Sequence, residues 1–230
     1  MSYDYAPGEV MKKIVRVLPP IEKAYAKVRF SIMRPRLLSV MDLLLTEEGD
    51  ILDVGCGFGL FSAYFACMQP RRRITGLDTD ARRIEIATRV ARQLGITDAR
   101  FVLGDVRDVS LERRFDAVYV LDVMHHISAG QQLEVLERLA SILKPGGLLL
   151  IKDITTEPRR GMWFTWALDR LMVGPSAPLA YRHHREWGEL LEGLGFRVRM
   201  VRVPDVLPYP HVVIAATRRG PRSASQDNGV

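Results

Sequence analysis

The chain of 230 residues has only two cysteines, Cys56 and Cys67. Two thiols make no disulfide framework and match no zinc spacing, so covalent and metal staples are not what would hold the fold. No apolar stretch approaches the roughly 20 residues of a spanning helix. The run Leu148 to Ile151 is strand length, and the Trp-rich stretch from Met162 to Tyr181 contains Asp169 and Arg170. The N-terminus lacks a basic-then-apolar signal pattern. These absences lead us to expect a cytoplasmic protein without a stable membrane span, leaving peripheral membrane contact open. Internal repeats are also lacking. So is a continuous basic stripe interleaved with aromatics, although the formal charge is +6. The arginines fall in short groups, Arg71 to Arg73, Arg82–Arg83 and Arg113–Arg114, which suits solvated faces better than a nucleic-acid footprint.

What the chain does have is 47% hydrophobic residues, enough for one well-buried domain. Residues 1–46 read as an amphipathic helical cap, with Ile21, Tyr25, Val28 and Ile32 at helical spacing. A regular alternation follows over residues 47–217. Short apolar strands at Ile51–Val54, Arg73–Leu77, Arg100–Leu103, Phe115–Leu121 and Leu148–Lys152 are separated by helical segments such as Asp80–Leu94 and Gln131–Leu143. Lys144-Pro145-Gly146-Gly147 reads as a turn before the fifth strand. Alternation of this kind predicts a parallel sheet with helices on both faces. Residues 153–186, rich in Pro, Trp and His, read as an insert over the active edge. A helix at Trp187–Leu194 and strands at Phe196–Val203 and Val212–Thr217 follow. Residues 218–230 read as a disordered tail.

The chemistry gathers at Asp53-Val54-Gly55-Cys56-Gly57-Phe58-Gly59, directly after a strand and before a helix. Glycines let a backbone approach a ligand closely, and a helix N-terminus offers free N–H groups. Asp78 ends the next strand, where a carboxylate can accept hydrogen bonds from both hydroxyls of a ribose. Together these point to an adenosine-containing ligand. The dinucleotide pattern G-x-G-x-x-G/A is not met, because Leu60 stands where its third small residue belongs.

The G-x-G-x-G loop resembles the first motif of the class I S-adenosylmethionine-dependent methyltransferases. The resemblance continues in order through Ile74-Thr75-Gly76-Leu77-Asp78, Gly104-Asp105-Val106, Phe115-Asp116-Ala117-Val118, Leu121-Asp122 and Leu143-Lys144-Pro145-Gly146-Gly147. It implies a doubly wound, Rossmann-like sheet of seven strands, mostly parallel, with an antiparallel last strand. It also implies S-adenosylmethionine as cofactor, contacted by Asp53, Gly55, Gly57, Asp78, Asp105 and Val106, with Leu121 through its backbone. The reaction implied is SN2 transfer of a methyl group to a small-molecule or lipid-like acceptor. Enzymes of the family that methylate nucleic-acid amines carry N/D-P-P-Y after strand four, where this chain has Leu121-Asp122-Val123-Met124-His125-His126. A nucleic-acid acceptor is therefore not expected.

His126 is the candidate general base, since imidazole titrates near neutrality, and His184 is its alternative. Trp163, Trp166, Tyr181, His184 and Tyr209 are candidates to line the acceptor pocket, with His125 beside them. Asp122, His125 and His126 faintly resemble an acid-and-histidine metal set, but adjacent histidines seldom turn to one ion, and no metal is expected. The rival functions are a nucleotide-cofactor oxidoreductase and a non-catalytic partner protein that binds S-adenosylmethionine.

Overall fold

The computed structural model describes residues 6–111, 114–157, 162–173, 179–201, 203 and 210–220. Seven strands, β1 (Gly49–Val54), β2 (Arg72–Asp78), β3 (Ala99–Leu103), β4 (Phe115–Leu121), β5 (Leu143–Ile154), β6 (Phe196–Val201) and β7 (His211–Arg218), form one sheet. Their order is β3-β2-β1-β4-β5-β7-β6, and only β7 runs antiparallel to its neighbours. This is the Rossmann-like, mostly parallel sheet that the alternation and the resemblance predict.

Period-2 alternation sends successive strand residues to opposite faces. Ile51, Ala117, Tyr119 and Val213 pack on one face with α1 (Pro7–Val17), α2 (Pro20–Ile32), α3 (Pro35–Leu44), α4 (Leu60–Met68) and α5 (Ala81–Gln93). Leu52, Val118, Val120 and Ile214 pack on the other with α6 (Ala129–Ile142) and α8 (His184–Gly193). Each of the first three helices begins on a proline, whose fixed φ suits the first turn and whose missing N–H is no loss there. Asp80 caps α5 by accepting from the backbone N–H groups of Arg82 and Arg83.

Two sequence readings need correction, and a third gains an element. Lys144 to Gly147 does not end the secondary structure before β5. The segment lies within the strand as an irregularity, and the ladder jumps from Phe115–Leu143 to Ala117–Leu148. Lys144 Nζ holds it in place through both oxygens of Asp116, at 2.8 and 2.9 Å. The 153–186 segment contains a helix, α7 (Met162–Val173). Arg218, assigned to the tail, closes β7 and donates to Leu143 O at 2.5 Å. The rest of the tail beyond residue 220 lies outside the described residues.

Arg72, at the start of β2, is fully buried and binds the cap to the sheet. Its guanidinium donates to the Asp42 carboxylate at 2.5 Å, to the carbonyls of Asp42 and Phe65, and to Thr46 O at 2.7 Å. Truncating Asp42 would leave that cation without its counter-ion. Urea unfolding of Asp42→Ala should therefore show a loss of roughly 3–5 kcal/mol, the usual cost of breaking a buried pair from one side.

Candidate functional site

In an open parallel sheet, ligands bind beyond the carboxyl ends of the strands, where the strand order reverses. Here β1 is that point, with β2 on one side and β4 on the other. A cleft of about 450 Å³ opens there, lined by the residues that follow β1, β2, β3 and β4 and by Tyr25, Arg29 and Ile32 of α2.

The turn after β1 is built to admit a ligand. Gly57 has φ +54°, and a Cβ placed on it would meet nothing within 4 Å, so the turn leaves open space above the backbone. Gly55 has φ +74°, and a Cβ there would collide with the Val123 side chain. Asp78 accepts the Gly57 N–H at 2.8 Å with one oxygen and the Asp80 N–H at 3.0 Å with the other. Each oxygen keeps a further lone pair, so two vicinal hydroxyls can still be received. These features fit the adenosyl part of a nucleoside cofactor.

Asp53 sits beneath the turn and is buried. Burial pushes its carboxyl up to about 7, while the hydroxyls of Ser62 and Tyr119 pull it back and nearby Asp78 adds to the rise. Ser62 Oγ donates to it at 2.5 Å. Asp105 is held below the usual carboxylate range by Arg107, which bonds it through Nε at 3.0 Å and Nη2 at 2.6 Å. Asp53, Gly55, Gly57, Asp78, Asp105, Val106 and Leu121 all line the cleft.

On the opposite wall the backbone of Asp122 takes φ +55°, unusual for a residue with a Cβ. Its carboxylate receives Lys152 Nζ at 2.5 Å and Arg29 Nη2 at 3.0 Å. Burial alone would raise it, but these two cations outweigh burial and hold it far below the ordinary range. Buried Lys152 is itself pushed down by desolvation against the pull of Asp122.

The histidines separate. His126, on a short 3-10 turn (Met124–His126), lines the cleft. His125 is buried, with its ring 4.0 Å from that of His126, and pairs through Nδ1 with Asp153, whose other oxygen accepts the His125 N–H at 3.1 Å. Tyr181 stacks on the His125 ring at 5.5 Å. His184 opens α8, with Thr155 Oγ1 at 3.1 Å from its Nδ1, and does not line the cleft. Trp163 is 71% exposed on α7 and is likewise outside it. Tyr209 lies outside the described residues. Asp122, His125 and His126 do not form a metal set, because Asp122 is bound by two cations and His125 by Asp153.

Sequence reasoning did not single out which residues of the cap reach the site. Tyr25, Arg29 and Ile32 enter the cleft together with Phe58 and Phe61, and Tyr25 meets Phe58 edge to face at 5.2 Å. The helical spacing of 25, 29 and 32 marks one face, but nothing local shows that this face meets the end of β4.

Residues 51–147 match the family model for a methyltransferase domain. The chain is 30% identical over 181 residues to the "Probable fatty acid methyltransferase" of Mycobacterium tuberculosis, covering 77% of this chain and 40% of that one. It is 33% identical over 110 residues to the ubiquinone biosynthesis O-methyltransferase of Cereibacter sphaeroides, covering 47% and 42%. It thus spans less than half the length of either relative. Human N-acetylserotonin methyltransferase, solved in complex with SAM, superposes with a TM-score of 0.66 at 22% identity, covering 94% of this chain and 57% of that one.

Two measurements probe this site. Asp78→Ala should weaken S-adenosylmethionine binding by roughly 1.5–3 kcal/mol, the worth of hydrogen bonds to a charged group, as read by calorimetry. Unchanged affinity would remove Asp78 from the ribose. Asp53 gives a pH signature. Between its ordinary value of 3.8 and about 7, the folded chain keeps a proton that the unfolded chain has released. Stability should therefore fall as pH rises through that window and level off above it. Asp53→Asn, which cannot ionise, should gain on the wild type across the window in urea titrations; a pH-independent difference would contradict the assignment.

Proposed function

From the class I methyltransferase domain that the chain carries, we propose that it is an S-adenosylmethionine-dependent enzyme that methylates a small or lipid-like acceptor. The observation that supports this most directly is the two-sided cleft. One wall gathers the Gly55–Gly59 turn, Asp78, Asp105 and Val106, and the other presents Tyr25, Ile32, Phe61 and His126. The first wall suits an adenosyl group. The second joins aromatic and apolar side chains to one imidazole and to the Arg29–Asp122 ion pair, which suits an acceptor that has apolar bulk and a reactive polar atom.

The bound cofactor supplies an already activated methyl group on a cationic sulfur. The task left to the chain is alignment and proton removal. Asp78 holds the ribose end, and the turn at Gly55 and Gly57 admits the cofactor against the backbone. Leu121, through its backbone, and Asp122 bound the methionine end. Asp122 is already neutralised by Arg29 and Lys152, so its carboxylate is held still. Tyr25, Ile32 and Phe61 enclose the acceptor and exclude water. His126 takes the proton from the acceptor hydroxyl as the new bond to carbon forms. His125, which stands with its ring 4.0 Å from that of His126, is fixed by Asp153 and supports the turn from behind.

A lipid or ubiquinone-type acceptor accords with the names of two relatives, a fatty acid methyltransferase and a ubiquinone-pathway O-methyltransferase. To test the acceptor class, the protein is incubated with methyl-labelled cofactor and, separately, an organic-solvent extract, bulk RNA, bulk DNA and a protein fraction. Label should enter the organic extract. Label in nucleic acid alone would overturn the reading. With that extract in single turnover, His126→Ala should slow transfer by roughly 10²–10⁴-fold, the usual worth of general-base assistance. A near-wild-type rate would leave alignment as the whole of catalysis.

A further inference from the structure

Helix α7 turns large aromatics outward. Trp163 is 71% and Trp166 52% exposed, whereas the third tryptophan, Trp187, is 1% exposed. Trp163, Trp166 and Arg170 fall at i, i+3 and i+7, which places them along one side of the helix. The Arg170 guanidinium lies over the Trp166 ring, 5.8 Å from its centroid. Helix α2 does something similar. Ile21 is 76% exposed, and Ala24, Val28 and Ser31 continue the same exposed stripe with Lys27 beside it. The two helices meet where Met162 packs on Ile32 and Ile154. The neighbouring face of α2, with Tyr25, Arg29 and Ile32, lines the cleft.

We propose that the exposed faces of α7 and α2 dock on an anionic lipid surface beside the mouth of the cleft. Tryptophan has an apolar ring with one polar N–H, which suits the boundary between acyl chains and headgroups. Apolar side chains interspersed with Lys27 and Arg170 match a surface that is apolar below and negative at its rim. A second copy of this face would bring the same cations and would repel, so charge favours the lipid surface. No described helix is long and apolar enough to cross a membrane, so the contact is with one leaflet. The proposal deepens the lipid-like acceptor reading and rests on it only for the reason such a contact would be useful.

The test measures vesicle binding without cofactor or acceptor, so its outcome is independent of activity. The protein is floated with phosphatidylcholine vesicles and with vesicles that also contain phosphatidylglycerol. Binding should require phosphatidylglycerol, weaken with salt, and shift tryptophan emission to the blue while buried Trp187 contributes a constant background. Trp163→Ala with Trp166→Ala should lower vesicle affinity by roughly tenfold or more. Arg170→Gln should lower it by roughly fivefold. Circular dichroism and cofactor affinity confirm that the variants are folded. Three results would each overturn the proposal: no flotation with anionic vesicles, equal flotation of the double variant, or light scattering that shows a dimer which the double variant dissolves.

Discussion

The site depends on one ionic arrangement, the Asp122 carboxylate held between Lys152 and Arg29. The three residues come from the end of β4, the end of β5 and the last turn of α2. Each alone would be costly to bury, because a charge moved out of water loses several kcal/mol of solvation. Together they make a compact group whose members cannot leave separately. Lys152 ties Asp122 to the sheet, and Arg29 ties it to the cap. Arg29 also lies over the Phe61 ring, 5.5 Å from its centroid. The cap is thereby fixed on the cleft, and Tyr25 and Ile32 are carried with it. The unusual φ of Asp122 is held by the same contacts and by its N–H, which donates to Lys152 O at 2.8 Å.

A second buried pair, Arg72 with Asp42, binds the cap at the other end of the strands. The helical segment is thus anchored at both ends of the strands, one anchor near the ligand cleft and one remote from it. Glu22 of α2 adds a third tie through Arg82 at the start of α5. This explains how a cap with small helices can serve as a wall of a binding site rather than as a loose cover. Its apolar contacts, Val10, Ile14, Leu38 and Met41 among them, are continuous with the core on that face of the sheet.

The sheet and the glycine-turn side of the cleft were legible in the sequence because their signals are local. A strand, a glycine turn and a helix follow one another within a dozen residues, and alternation fixes which face each strand residue takes. Asp78 could be placed because it ends a strand whose neighbour ends in the glycine turn. The residues that face it across the cleft were not legible for the opposite reason. Arg29 and Asp122 meet across 93 residues of chain. No spacing rule links such positions. The adjacent histidines misled in the same way. Their rings stay 4.0 Å apart, yet His125 is bound by Asp153 in the core and His126 alone of the two lines the cleft. The Lys144–Gly147 segment reads as a breaker by composition, yet its backbone is held in the sheet by pairing on both sides and by the bond from Lys144 to Asp116.

Charge balance across the cleft follows from these placements. A sulfonium is cationic, and a cleft that contains Arg29, Arg83 and Arg107 would oppose it if those groups stood alone. They do not. Arg29 is matched by Asp122, Arg107 by Asp105, and Arg83 lies near Asp80 and over the Phe58 ring. Both oxygens of Asp78 accept backbone N–H groups, from Gly57 and Asp80. Asp53 is poised to carry its charge only toward and above neutral pH. Asp78 and Asp53 are thus stabilised by backbone N–H groups and hydroxyls, Asp105 by Arg107, and Arg29 across the cleft is already paired. A positively charged ligand enters such a site against little repulsion, by electrostatics that the fold has in place before any ligand arrives.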